Sequence, residues 1–295
     1  MLDSPHPDEL DEVVAFIVAQ QRRPERNVAY LGTEPDGVAA ELAGLTPPWA
    51  TTARVIREDG RIVGAAVVEW DLEIGRSWVM GPWVAHDGAR WLELAGPLLD
   101  AALAQVPDAV DRHEMAGDLA NLDLAALAAG RGWTATEPNH VLSVDAEEVA
   151  AWPDQDLAGL RPATPADLDG IRALHDAEFL GTYASAAQLV GGQQDGSRTT
   201  LVVGADSGRV AAYASGHVDD DGQGCLDFVA VHPDHQGRGL GGQAVVAVVR
   251  DLLPRCPSGV VSLTVQDHRV PARALYRRLG FRAGGVLVGY RSWEQ

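Results

Sequence analysis

The stretch VHPDHQGRGLGG, Val231 to Gly242, sets four glycines between a strand-like run and an apolar segment. Val229 to Val231 read as the end of a buried strand, Pro233 stops it, and Leu240 to Leu253 read as a helix rich in Val, Ala and Leu. Gly237, Gly239 and Gly241 therefore fall where loop becomes helix. A helix N-terminus offers unpaired N–H groups and the positive end of the dipole, and glycine lets an anion approach them with no Cβ in the way. The chemistry is that of a phosphate cradle. Gly237, Gly239 and Gly242 also fit G-x-G-x-x-G, but a dinucleotide turn wants its first glycine against the strand, and His232 to Gln236 intervene. A P-loop needs a lysine after its last glycine, and the chain contains no lysine. For the loop taken alone, a glycine-rich turn without a ligand remains the alternative.

A third pattern, Q/R-x-x-G-x-G/A, is met by Gln236, Gly239 and Gly241, and a second stretch, LTVQDHRVPARALYRRLGF (Leu263 to Phe281), follows it. Together and in this order the two resemble the acetyl-CoA loop and the final strand-helix segment of the GNAT superfamily of N-acetyltransferases. The resemblance implies acetyl-CoA as co-substrate, its pyrophosphate wrapped by Gln236, Gly237, Arg238, Gly239, Leu240 and Gly241, and no metal. It also implies that Tyr276 is a general acid beside the cofactor sulfur. The superfamily often has asparagine seven residues before that tyrosine; here Arg269 stands there, and an arginine suits a cofactor phosphate instead.

Acetyl transfer from a thioester to an amine needs backbone donors for the oxyanion, a proton acceptor for the amine, a proton for the departing thiolate, and a held cofactor. The strand Asp227 to Val231, with Val229, Ala230 and Val231 beside the cofactor, supplies the donors; its counterpart in the superfamily carries a bulge that frees its amides. Asp227 is the first choice of base, His217 the second and Glu178 a distant third. The alternative for Asp227 is a solvated strand-end carboxylate, and for Tyr276 a core tyrosine. His232 and His235 make H-x-x-H, but in a loop rather than on one helix face, which does not suit a metal site. Cys225 has no basic neighbour in sequence, so it reads as a buried structural thiol rather than an acyl carrier.

Positioning these groups requires strands interleaved with helices. In the second half the expected elements are helices at Pro165 to Glu178 and Ser185 to Val190, then strands at Thr199 to Ala205, Arg209 to Val218 and Gly224 to Val231. After the loop helix come a strand at Val260 to Val265, a helix at Ala272 to Leu279 and a last strand from Gly285 to Trp293. The halves look duplicated: Asp59-Gly60-Arg61 and Ser207-Gly208-Arg209 each open an apolar run, Gly132-Trp133 and Gly280-Phe281 each close a helix, and both offsets are 148 residues. The expected fold class is α+β, two tandem GNAT-like domains, each a mixed, mostly antiparallel sheet flanked by helices. The expected boundaries are 1–150 and 158–295, with the proline-rich and acidic run from Asp145 to Asp169 read as a linker followed by the first strand and helix of the second domain.

The first half looks silent. Asn121 takes the asparagine position, but Ala128 stands where Tyr276 stands in the other copy, the loop VAHDGARWLELAG lacks the glycine spacing, and Pro82 removes a backbone N–H from its strand. Six of the eight tryptophans lie in this half, more as core than as a ligand box.

Composition bounds the rest. At 295 residues and 46% apolar content the chain has room for two cored domains. No apolar run is long enough to span a bilayer, the start MLDSPHPDELDE is unlike a signal, and Cys225 and Cys256 are too few for a disulfide framework, so a cytoplasmic location is expected. A net charge of -19 repels phosphate backbones and anionic lipids, which excludes nucleic acid and membrane as partners and favours cationic ones, although solubility alone also explains it. The expected activity is transfer of acetyl from acetyl-CoA directly to a primary amine of a small molecule; an acetyl-CoA-binding sensor and a peptide N-acetyltransferase are the alternatives.

Overall fold

A computed structural model describes residues 1–154, 157, 159–204 and 209–293. The chain forms two compact units, and neither is contiguous with one half of the sequence. The first comprises Met1–His140 with Gly285–Gln295, the second Val141–Gly284.

The first unit contains β1 (Leu2–Asp3), α1 (Leu10–Gln21), α2 (Pro35–Gly44), α3 (Trp49–Thr52), β2 (Arg54–Glu58), β3 (Arg61–Asp71), β4 (Arg76–Val84), α4 (Gly88–Leu103), β5 (Arg112–Asp118), α5 (Leu122–Gly130) and β6 (Thr134–Ala135). The second contains most of β7 (Asn139–Asp145), then α6 (Ala146–Ala150), β8 (Leu160–Pro162), α7 (Leu168–Glu178), α8 (Ala186–Asp195), β9 (Arg198–Gly204), β10 (Val210–Val218), β11 (Gly224–Val231), α9 (Leu240–Leu252), β12 (Val260–Gln266) and α10 (Val270–Arg278). The last strand, β13 (Arg282–Arg291), returns most of its length to the first unit.

Strand order is β1-β2-β3-β4-β5-β13 in the first unit and β7-β12-β11-β10-β9-β8 in the second. Among the pairings described, only β4–β5 and β11–β12 are parallel, so each sheet is mixed and mostly antiparallel, and the α+β class holds. The boundaries 1–150 and 158–295 are corrected by the register: Leu287 to Arg291 pair with Asp118 to Glu114 of β5, so the final strand completes the first unit. The expected linker is corrected too. Asp145 caps α6 by accepting from the Glu148 amide, and Val149 and Trp152 enter the second unit's core, where the Trp152 indole donates to the Leu279 carbonyl at 2.7 Å. At its start the acidic content marks a helix cap rather than the beginning of a linker. The expected turn at Ser207-Gly208 and strand end at Ala205 lie outside the described residues.

The second unit's site is set by helices on the two faces of its sheet. Strand β11 alternates buried and half-buried along its whole length, the signature of a strand between two layers. On one face, Val245, Val246, Val248 and Val249 of α9 are buried with Leu226, Val261 and Leu263; each such side chain contributes about 1.5–3 kcal/mol when fully covered. On the other face, Ile171 and Leu174 of α7 and Leu189 of α8 cover Tyr213 and Phe228, the i, i+3 spacing expected of one helix face. Among the described residues, no helix is long and apolar enough to cross a membrane.

Candidate active site

Among the described residues, strands β11 and β12 pair only at Gly224–Val261 and Cys225–Ser262 and then separate, and from Leu226 to Val231 the β11 amides on that edge have no strand partner. On its other edge β11 pairs with β10, where Phe228 faces Ser215 and Leu226 faces Gly216, leaving Asp227 as the extra residue of a bulge. The bulge expected from the resemblance is therefore present, at Asp227, and unpaired N–H groups at a strand divergence are what an oxyanion or an extended amide-bearing ligand would use.

Beyond β11 a short turn (Pro233–His235), in which the His232 ring accepts from the Asp234 amide at 3.3 Å, leads to the glycine loop. Gly237 and Gly239 both lie in the left-handed region, at φ +74° and +82°, and Gly239 is the N-cap of α9. Nothing lies within 4 Å of where a Cβ would stand on either. The turn into α9 is thus open at these two positions, and the helix start has no side-chain cap, which fits an external phosphate. Gly241 has a different reason: a Cβ there would meet Val231 at 3.3 Å, so its smallness sets α9 against β11. The Gln236 amide reaches the Val231 carbonyl at 3.3 Å and the exposed Arg238 lies beside His235.

Helix α10 abuts the first turn of α9, since a Cβ on Gly242 would meet Leu275 at 3.3 Å. On α10, Tyr276 is buried against Phe281, their rings 5.5 Å apart, and its hydroxyl has no hydrogen-bond partner among the described residues. Burial pushes the phenol up to about 12 against a small opposing effect of Arg269, so it is neutral, a proton donor, throughout the physiological range.

Arg269 does not present a free guanidinium to a phosphate. It donates to Gln266 at 3.0 Å, to the Glu178 carbonyl at 2.8 Å and to the Glu178 carboxylate at 3.3 Å, and lies over the Phe179 ring. Its side chain joins the end of α7 to the start of α10, so Arg269 and Glu178, expected at the cofactor and as a third candidate base, engage each other.

Asp227 is neither solvated nor a ready base. Its side chain is 1% exposed and accepts from Tyr183 at 2.5 Å, from His217 at 2.9 Å and from Arg198. Burial alone would raise its pKa; the His217 hydrogen bond and the Arg198 charge outweigh that and hold it below the ordinary carboxylate value. His217 also meets Asp219, at 2.6 Å. Burial opposes its charge, but the two carboxylates prevail and raise it to about 9. At neutral pH the group is an imidazolium between two carboxylates, so Asp227, and His217 in its charged form, both lack the affinity for a further proton that a base needs.

This cluster was only half legible. Arg198, Tyr183 and Asp219 were missed, yet the hairpin register places Arg198 opposite His217 and His217 opposite Cys225, so a correct register would have found the first. Burial and nearby Asp227 push the Cys225 thiol up, in line with an inert thiol. The ligand atoms of His217, Cys225 and Asp227 lie within 4.8 Å of one another, a metal-like spacing, but the Arg198 cation already sits on Asp227.

The charge on His217 has a measurable consequence. Its folded pKa lies above the unfolded value of 6.5, so its stabilisation is complete below pH 6.5 and is lost as pH rises through 9. The shift corresponds to about 3 kcal/mol. Glu69 in the first unit, raised by burial to about 7, affects mainly the range below that. Chemical denaturation is therefore expected to show stability falling between pH 7 and 9, with the slope removed in His217→Gln; a slope unchanged by that substitution refutes the assignment.

Residues 168–281 match the Acetyltransferase (GNAT) family. Over 84 residues the chain is 42% identical to a mycothiol acetyltransferase of Clavibacter sepedonicus and 40% identical to one of Clavibacter michiganensis, spanning 28% of this chain and 27% of each relative's length. Among solved structures, a GCN5-related N-acetyltransferase from Sphaerobacter thermophilus is similar over 99% of this chain and 95% of its own, with a TM-score of 0.70 and 19% identity. A tandem GNAT protein from the clavulanic acid biosynthesis pathway is similar over 99% and 98%, with a TM-score of 0.61 and 19% identity. At that identity the likeness is one of fold.

Proposed function

We propose that the chain is an N-acetyltransferase with its active site in the second unit, carrying acetyl from acetyl-CoA to a small primary amine, since residues 168–281 match the GNAT acetyltransferase family and the fold is similar to that of a tandem GNAT protein. The observation that carries this reading is the conjunction of an open divergence between β11 and β12 with an uncapped glycine turn at the start of α9. Together they offer a strand edge for the amide-bearing arm of the cofactor and backbone donors for its pyrophosphate.

In this reading the amides of Phe228 to Val231 take the charge of the tetrahedral oxyanion. Tyr276 lends its proton to the thiolate as the amine nitrogen forms its bond to the acetyl carbon and the C–S bond breaks. The amine reacts in its neutral form, its proton going to water or to the neutral fraction of His217, which grows as pH approaches 9. Asp227 acts as a positioning residue that holds His217, Arg198 and the loop tyrosine Tyr183 together.

The acceptor side is the α7–α8 segment. There Phe179, Tyr183 and Phe228 form an aromatic face, with Leu180 largely exposed and Tyr183 partly exposed at its rim. A net charge of -19 steers cations toward the chain, within a screening length of roughly 8 Å. The curated relatives are named mycothiol acetyltransferases, a further pointer away from protein acceptors. Assayed by release of free CoA from acetyl-CoA, small primary amines are expected to outperform peptides bearing free N-termini or lysines. Preference for peptides would overturn the small-molecule reading; no release with any acceptor would overturn the transferase itself.

A further inference from the structure

We propose that the first unit carries its own strand-shaped occupant: residues 26–31 fill the cleft that stands open in the second unit, leaving the chain a single cofactor site. The consequence for cofactor number rests on the function proposed above; the occupant itself does not.

Strands β4 and β5 pair in parallel from Arg76–Arg112 to Val79–Met115 and then part, as β11 and β12 do. One edge of β5 is taken by β13 from Glu114 to Asp118. The other edge, facing the divergence, is taken by the chain that follows α1. Val28 bridges Gly117 in antiparallel sense, the Ala29 amide donates to Ala116 at 2.9 Å, and the Asp118 amide donates to the Asn27 carbonyl at 3.2 Å. Gln21, 1% exposed, ties this segment to the opposite wall. Its amide nitrogen donates to Val28 and Leu31 at 3.0 and 2.7 Å, and its oxygen accepts from the Val28 amide at 2.8 Å and from the Trp83 indole of β4 at 3.0 Å.

Both ends are fixed as firmly. Arg26, 2% exposed, bonds Asp87 and Asp123 at the first turn of α4. There Asp123 also accepts from the Gly88 amide at 3.3 Å, so an internal carboxylate meets the helix terminus where an outside anion would. At the far end Tyr30 sits at φ 105°, a conformation a tyrosine keeps only where its surroundings impose it. Its hydroxyl donates at 3.1 Å to Glu114, itself held by Arg76 and Arg291. Asn121, at the superfamily's asparagine position, donates to the Asn27 carbonyl at 3.2 Å. The silence of this unit thus comes from occupancy as well as from the missing tyrosine and glycines.

Hydrogen exchange on the whole chain tests the occupant directly. The amides of Val28, Ala29 and Asp118 are expected to exchange slowly in the free protein and to be unaffected by acetyl-CoA, and calorimetry is expected to give one acetyl-CoA per chain. Fast exchange at these amides in the free protein overturns the proposal, as do two sites per chain or altered protection at 27–31 on adding acetyl-CoA. Absence of any acetyl-CoA binding would count against the proposed function alone, since the exchange in the free protein still decides the occupant. Gln21→Ala, which removes five hydrogen bonds from the cleft, is expected to speed exchange at Val28 by at least about tenfold while leaving coenzyme A affinity unchanged; the wild-type measurements stand without it.

Discussion

Replacing Tyr276 by phenylalanine is expected to lower turnover by about 10²- to 10⁴-fold, the range for one positioned acid or base, while coenzyme A affinity stays within a factor of two or so. The structure allows the two effects to separate. The hydroxyl has no protein partner among the described residues, and the ring packs on Phe281, so the phenylalanine variant keeps the packing and strands no donor or acceptor. The stability change is expected to stay below about 1 kcal/mol. Steady-state kinetics, calorimetric affinity and a melting curve on the same variant decide it. If turnover is unchanged, Tyr276 is only a core residue; if affinity and rate fall together with the melting temperature, its role is packing. Because burial holds the phenol near 12, no alkaline loss of activity below that pH should trace to Tyr276.

Gly239→Val is expected to abolish calorimetric binding of coenzyme A. A valine at φ +82° is strained by about 1–2 kcal/mol, but no protein atom lies within 4 Å of the new Cβ, so the fold has room for it. What the valine fills is open space at the N-cap of α9. Gly241→Val is the poorer test, because Val231 lies 3.3 Å from its Cβ position and any loss would mix binding with packing. Unchanged affinity in Gly239→Val would remove the pyrophosphate from this helix terminus and with it the proposed cofactor site.

What the sequence disclosed was local. Alternation gave β11 at its observed bounds, the glycines marked the start of α9, and Leu240 began the helix as expected. The spacing of Tyr276 from the loop survived because both lie on adjoining helices. Contacts between distant segments did not show. Nothing near Glu114 in sequence announces that Tyr30 and Arg291 would meet it, and nothing in ERNVAYLG, read alone, suggests a strand partner for β5. Charge was misread for the same reason: Asp227 reads as a lone strand-end acid until Arg198, His217 and Tyr183 converge on it from β9, β10 and the loop after α7. Arg269, apparently positioned for a phosphate, had Glu178 waiting 91 residues upstream.

The path of β13 also fixes when each unit can exist during synthesis. The second unit has all its residues once Gly284 has been made, whereas the first waits for the final segment from Gly285 onward, although its other strands were made at the start. At roughly 5–20 residues per second, β5 emerges and then stands for many seconds with the edge of Glu114 to Asp118 uncovered. For that interval the half of the molecule translated first is the half that is unfinished, and an open sheet edge is the kind of surface that pairs with a neighbouring nascent chain. The unit translated mostly first is therefore the one whose residues are complete last.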